Sequence, residues 1–103
     1  MKPCLPFAAD GCRVPDTVDM RILAANTAER HTVPASAKYV AAASAADFYI
    51  RWHATQGASI PAADVTDGSG CEYKPGVRQL AGLTSFSIIS PVAATVSLSF
   101  WGE

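Results

Sequence analysis

Three cysteines, two histidines and a pair of loop acids are the side chains here with the most chemical potential. Cys4, Cys12 and Cys71 show no C-x-x-C spacing, and neither His31 nor His53 has a carboxylate beside it at ligand spacing. Structural zinc sites draw on close ligand pairs, so no metal site is assigned. An odd number of cysteines argues against a full disulfide framework. Free thiols are favoured, and a Cys4–Cys12 bridge across a short loop stays open. Asp64-Val65-Thr66-Asp67-Gly68 sets two acids three apart before a glycine. A calcium loop needs more oxygen donors at fixed offsets, so this reads as a turn: Asp67 bonds the backbone and Gly68 takes positive φ. Cys71 follows Gly68-Ser69-Gly70 in the same loop, but no histidine is fixed near it and no G-x-S-x-G elbow exists. No glycine-rich loop opens a helix to cradle phosphate. The residues therefore assign no catalytic group and no cofactor.

What remains is contact chemistry. Tyr49, Tyr73 and Trp101 are aromatic groups able to anchor a partner. Trp101 falls on the serine face of its strand and is expected to point outward, unless the last residues bend and bury it. Trp52 shares a face with Phe48 and Ile50 and is expected in the core.

The elements that position these groups read as strands. Thr84–Ser90 and Thr95–Trp101 alternate serine or threonine with Phe86, Ile88, Val96, Leu98 and Phe100. Successive strand residues face opposite sides, so each run has a greasy and a wet face. Ser90-Pro91 between them favours a turn, and the two runs are expected to form a terminal β-ribbon. Asp47–His53 alternates Phe48, Ile50 and Trp52 against Tyr49, Arg51 and His53. Val18–Ala25 alternates Val18, Met20 and Ile22 against Asp19, Arg21 and Leu23, with Met20 and Ile22 expected in the core. Asn26–Pro34 reads as a loop. Lys38–Ala43 reads as a strand followed by a turn at 44–46, with a helix over 35–46 as the alternative its alanines support. Ala54–Gly76 carries Pro61, Asp67-Gly68 and Pro75-Gly76 and is expected to be irregular; long loops in small domains are often functional. Arg78–Leu83 adds a short strand. Residues 1–17, with Pro3, Pro6 and Pro15, read as an irregular arm whose Leu5, Phe7 and Val14 rest on some other surface.

The expected fold is all-β: a small antiparallel β-sandwich or open barrel of five or six short strands, with residues 18–103 as one domain and 1–17 as an arm. The chain has 103 residues, 17% of them charged, and a net charge of −1. Eight basic residues against nine acidic ones, unclustered, cannot make a phosphate-binding stripe, so nucleic acid is not an expected partner. No apolar run reaches a membrane span, and the N-terminus lacks the apolar stretch of a secretion signal. Cytoplasmic synthesis is expected. Much of the apolar fraction is alanine, so the core is thin and a subunit stabilised by neighbours is anticipated.

Several stretches resemble small virion proteins of tailed bacteriophages: residues 45–51, 60–68 and 84–90, and the closing Val96-Ser97-Leu98-Ser99-Phe100. The short length, the alanine and serine richness and the proline-marked arm are similar in style. The resemblance implies a non-enzymatic β-sandwich that decorates or cements a capsid, or sits in the tail or neck. Its implied partners are further copies of itself and a capsid or tail protein, met through Leu5, Phe7 and Val14 of the arm and Asp64, Asp67 and Tyr73 around the long loop. No catalytic residue carries over. Two other classes stand beside it. One is a free-standing sugar- or peptide-binding module using Tyr49, Tyr73 and Trp101; the other is a small enzyme using Cys71.

Overall fold

A computed structural model describes residues 14–53 and 55–102. The arm positions Leu5 and Phe7, and Cys4 and Cys12, lie outside the described residues. The strands are β1 (Thr17–Leu23), β2 (Glu29–Thr32), β3 (Tyr39–Ala43), β4 (Tyr49–Arg51), β5 (Glu72–Tyr73), β6 (Val77–Gln79), β7 (Ser85–Ile89) and β8 (Ala94–Trp101). They build two four-stranded sheets, ordered β1-β8-β3-β6 and β2-β7-β4-β5, with every pairing antiparallel. The fold is all-β, two packed sheets as in a small β-sandwich.

The core is the alternating inner set of both sheets. Leu23, Val40, Val96, Leu98 and Phe100 come from the first, and Ile50, Phe86 and Ile88 from the second, joined by Phe48. Trp52 packs partly buried against them, its ring 5.1 Å from Phe86, as its shared face with Phe48 and Ile50 anticipates. Burying a side chain such as Ile88 or Leu98 contributes about 1.5–3 kcal/mol, so a few large groups offset the many alanines.

Four expectations are corrected. The described residues form eight strands rather than five or six, because very short strands such as β5 are paired only through tertiary contacts that local pattern does not carry. The segment 26–34 is not a plain loop; Glu29–Thr32 pairs with β7 despite its polar sequence. The last two strands are not a ribbon. β7 lies in one sheet and β8 in the other, so Ser90-Pro91 is a bridge between layers rather than a hairpin turn. Every connection except β4–β5 crosses between sheets in this way. Lastly, Val18, Met20 and Ile22 face outward. The strand expected over 38–43 does form, and Ser44 closes the following turn by accepting from the Ala46 N–H at 3.2 Å.

Candidate interaction surface

β1 is an edge strand, paired on one side with β8. Its inner positions reach the rim of the sandwich, where the opposite sheet ends in β2. There Asp19 meets His31 at 2.9 Å, and Arg21 donates to Glu29 at 2.6 Å. His31 is buried, stacked on Phe100 with centroids 5.8 Å apart and tilted against Phe86 at 5.6 Å. The polar residues of β1 thus face inward because they have charged or hydrogen-bonding partners across the gap. The apolar residues are left facing out: Val18 is 50% exposed, Met20 59% and Ile22 80%.

The far rim repeats the device. Arg78 of β6 forms an ion pair with Glu72 of β5, and the Trp52 indole N–H donates to the same carboxylate at 2.8 Å. The Arg78 guanidinium holds the Glu72 carboxyl below its ordinary range, and Glu72 raises Arg78 in turn. Inward-pointing charges on edge strands discourage indiscriminate edge pairing.

These rims settle the character of the first sheet's outer face. Register places Val18 beside Ser99, Met20 beside Ser97 and Ile22 beside Thr95. Ala41 and Ala43 continue the rows on β3, and Val77 stands beside Ala41 on β6. The charged residues of this sheet's strands, Asp19, Arg21 and Arg78, all occupy inner positions, opposite buried Leu98, Val96 and Val40. The strand residues of the outer face are therefore uncharged: small residues for the most part, with Tyr39, Gln79 and the buried Trp101 in one row at the end and a greasy stripe along β1. Val18 to Ile22 spans about 13 Å at the usual strand rise.

The second sheet is treated differently. Its outer face carries Arg30 and Arg51, flanking Ser87. The connection after β4 folds over it. The Ala58 N–H donates to the Ser87 hydroxyl at 2.7 Å, Arg30 donates to the Gln56 carbonyl at 3.1 Å, and Arg51 donates to the Gln56 side chain at 2.6 Å and the Ser59 hydroxyl at 3.3 Å. Gly57 allows this close approach, since a Cβ there would stand 3.3 Å from that of Ala28. Residues 56–59 of the long connection are thus a cover with its own bonds, while residues 61–70 are exposed.

An open groove of about 450 Å³ lies in that cover, lined by Arg51, Ser59, Asp64, Val65 and Cys71 among others. Its one guanidinium is already engaged by Gln56 and Ser59. Cys71 is half-buried and accepts weakly from the Ser59 N–H at 3.5 Å. Among the described residues, no three His, Cys, Asp or Glu side chains gather to hold a metal ion. His53 is exposed.

The expected contact residues scatter. Val14 is 79% exposed, just ahead of β1. Tyr49 and Tyr73 pair on the second sheet with centroids 5.3 Å apart, and the Tyr73 hydroxyl donates to Asp47 at 2.7 Å. That bond raises the phenol's pKa, since losing the proton beside a carboxylate is disfavoured. Asp67 closes the expected turn, accepting from the Ser69 hydroxyl at 2.7 Å and the Ser69 N–H at 3.0 Å, with Gly68 at φ 90°. Those two bonds lower the Asp67 pKa. Asp64 lies on the groove, away from the greasy stripe. Of the two positions open to Trp101, the structure has the buried one. Its strand does not splay, because Tyr39 pairs with it and its carbonyl accepts from the Lys38 N–H at 2.7 Å.

Sequence reading missed the outward stripe and the Asp19–His31 contact. The alternation of β1 was visible, but periodicity separates two faces without saying which one is wet. No family model, no curated protein and no solved structure matches this chain.

Proposed function

We propose that this protein is a non-enzymatic structural component of a bacteriophage particle, laid on the capsid as a decorating or cementing subunit. The uncharged outer face of the β1-β8-β3-β6 sheet would meet the shell protein. The observation that carries the reading is the row Val18, Met20 and Ile22, exposed together on a face without charge. Single exposed apolar residues are ordinary; a contiguous stripe marks a contact site. The second sheet supports the same placement, since its outer face is occupied by the chain's own loop. Small side chains suit close approach by a broad partner surface, and a shell offers many equivalent copies of one.

The copy number in purified particles tests this, measured by quantitative mass spectrometry beside a phage carrying Ile22→Asp. Decoration predicts a copy number comparable to the shell protein, falling at least about tenfold in the variant; that fall corresponds to about 1.4 kcal/mol of binding. A ring's worth of copies would place the chain in the tail or neck instead. Absence from particles would overturn the virion reading.

One observation favours a second reading. Exposed Tyr73 and half-buried Tyr49 form a tilted pair beside Asp47, an arrangement suited to stacking a sugar or a peptide side chain. A free-standing recognition module would show quenching of aromatic fluorescence by one member of a glycan or peptide panel. Silence across the panel would remove it.

A further inference from the structure

We propose that β1 joins a second copy of this chain along its open edge, antiparallel and centred on Met20. β1 is seven residues long and pairs with β8 on one side; among the described residues no strand pairs with its other side. Such an edge offers a row of backbone donors and acceptors to an incoming strand. A strand pairing with its own copy about a two-fold axis has its opposing residues set once the centre is chosen.

Centred on Met20, the sequence Val18-Asp19-Met20-Arg21-Ile22 is its own complement. Val18 faces Ile22 of the second copy, and Met20 faces Met20, giving an unbroken apolar row on the outer face. Asp19 faces Arg21 of the second copy on the inner face, and Arg21 faces Asp19. Opposite charges at directly facing positions stabilise an antiparallel pair, and like charges destabilise it. Centring on Asp19 or Arg21 sets like charges together. Centring on Val18 or Ile22 shortens the overlap and leaves both charges facing uncharged residues. A slip of half a step turns the greasy row of one copy against the polar row of the other. The Asp19 and Arg21 side chains, held by His31 and Glu29, remain 36% and 28% exposed, so each keeps a side open to the second copy.

The pairing would fuse two four-stranded sheets into one of eight, ordered β6-β3-β8-β1-β1-β8-β3-β6. The two greasy stripes would lie side by side at the two-fold axis. This inference stands on the β1 edge alone and does not require the virion reading.

Directed cross-linking tests it in the full chain with Cys4, Cys12 and Cys71 replaced by serine. Single cysteines are placed by Val18→Cys, Met20→Cys and Ile22→Cys, and oxidised under native conditions. Facing residues in an antiparallel pair have Cα atoms about 4.5–5.5 Å apart, within disulfide reach. Each flanking position lies about 13 Å from its own copy. The Met20→Cys chain should form covalent dimer at least about tenfold faster than either flanking variant. Equal rates, or faster reaction at Val18→Cys or Ile22→Cys, would overturn the register. Sedimentation equilibrium gives the second readout. The unmodified chain should dimerise by about 0.1 mM, and Met20→Lys should be monomeric with an unchanged far-ultraviolet circular dichroism spectrum. A monomeric unmodified chain, or a dimeric Met20→Lys chain, would contradict the proposal.

Discussion

At the residue scale, the charged side chains of the first sheet are spent on its rims. Asp19–His31 and Arg21–Glu29 close one side, and Glu72–Arg78 closes the other. Partly exposed ion pairs such as Arg21–Glu29 and Glu72–Arg78 are individually weak, about 0.2–1 kcal/mol, and the chief service of these contacts is to fix which way the edge strands face. Glu72 gives the clearest pH dependence. Its folded pKa lies below the ordinary 4.5, chiefly through its bond with Arg78. A depressed carboxylate pKa contributes stability that is complete above the unfolded value and lost as pH falls through the folded one. Glu72→Gln should therefore lower stability at pH 7 by up to about 1 kcal/mol, a value discounted for the partial exposure of the pair. Part of the native chain's loss of stability below pH 4.5 should vanish in the variant. Urea titrations of both chains across that range measure this. Parallel acid limbs would mean that Glu72 adds nothing.

At the scale of elements, alternation made the strands legible and left their orientation open. β8 could be read correctly because one face is wholly serine and threonine up to Ser99, so only Val96, Leu98 and Phe100 could be core. In β1 both sets contain candidates: Leu23 belongs with Asp19 and Arg21, and it alone of the apolar residues in that strand is buried. The deciding fact is a tertiary one, that β2 supplies His31 and Glu29 across the rim. β2 itself was illegible for the same reason, since its polar residues look like a loop until their partners are known. The ribbon expectation failed because neighbours in sequence are here neighbours across layers, and turn residues do not distinguish the two. The two faces of the first sheet give a direct contrast. Ile22→Ser should change the stability of the isolated subunit by less than about 0.5 kcal/mol. Ile88→Ala, in the core, should cost about 2–5 kcal/mol. Thermal or urea unfolding at low concentration, where self-association is weak, measures both. A large loss from Ile22→Ser would mean that the stripe serves the fold rather than a partner.

At the scale of the whole molecule, the two sheets divide the labour. One outer face is overlain by the β4–β5 connection, held by Arg30, Arg51 and Ser87. The other is uncharged and open at Val18, Met20, Ile22, Thr95 and Ala43. The candidate site was therefore only half legible in the sequence. Tyr49, Tyr73 and the Asp67 turn were found as surface features; in the long loop, residues 56–59 bond to their own domain while residues 61–70 are exposed. The open face depends on topology, because it exists only once every charge of its strands has been drawn to a rim. The most direct measurement of the central claim is oxidative footprinting of Met20, followed by mass spectrometry, on the purified subunit and on the protein in purified particles. Met20 is 59% exposed in the subunit and should oxidise readily there. Protection of Met20 by about tenfold or more in particles, with Tyr73 still reactive, is the predicted result. Equal oxidation of Met20 in both states would show that this face meets nothing in the particle.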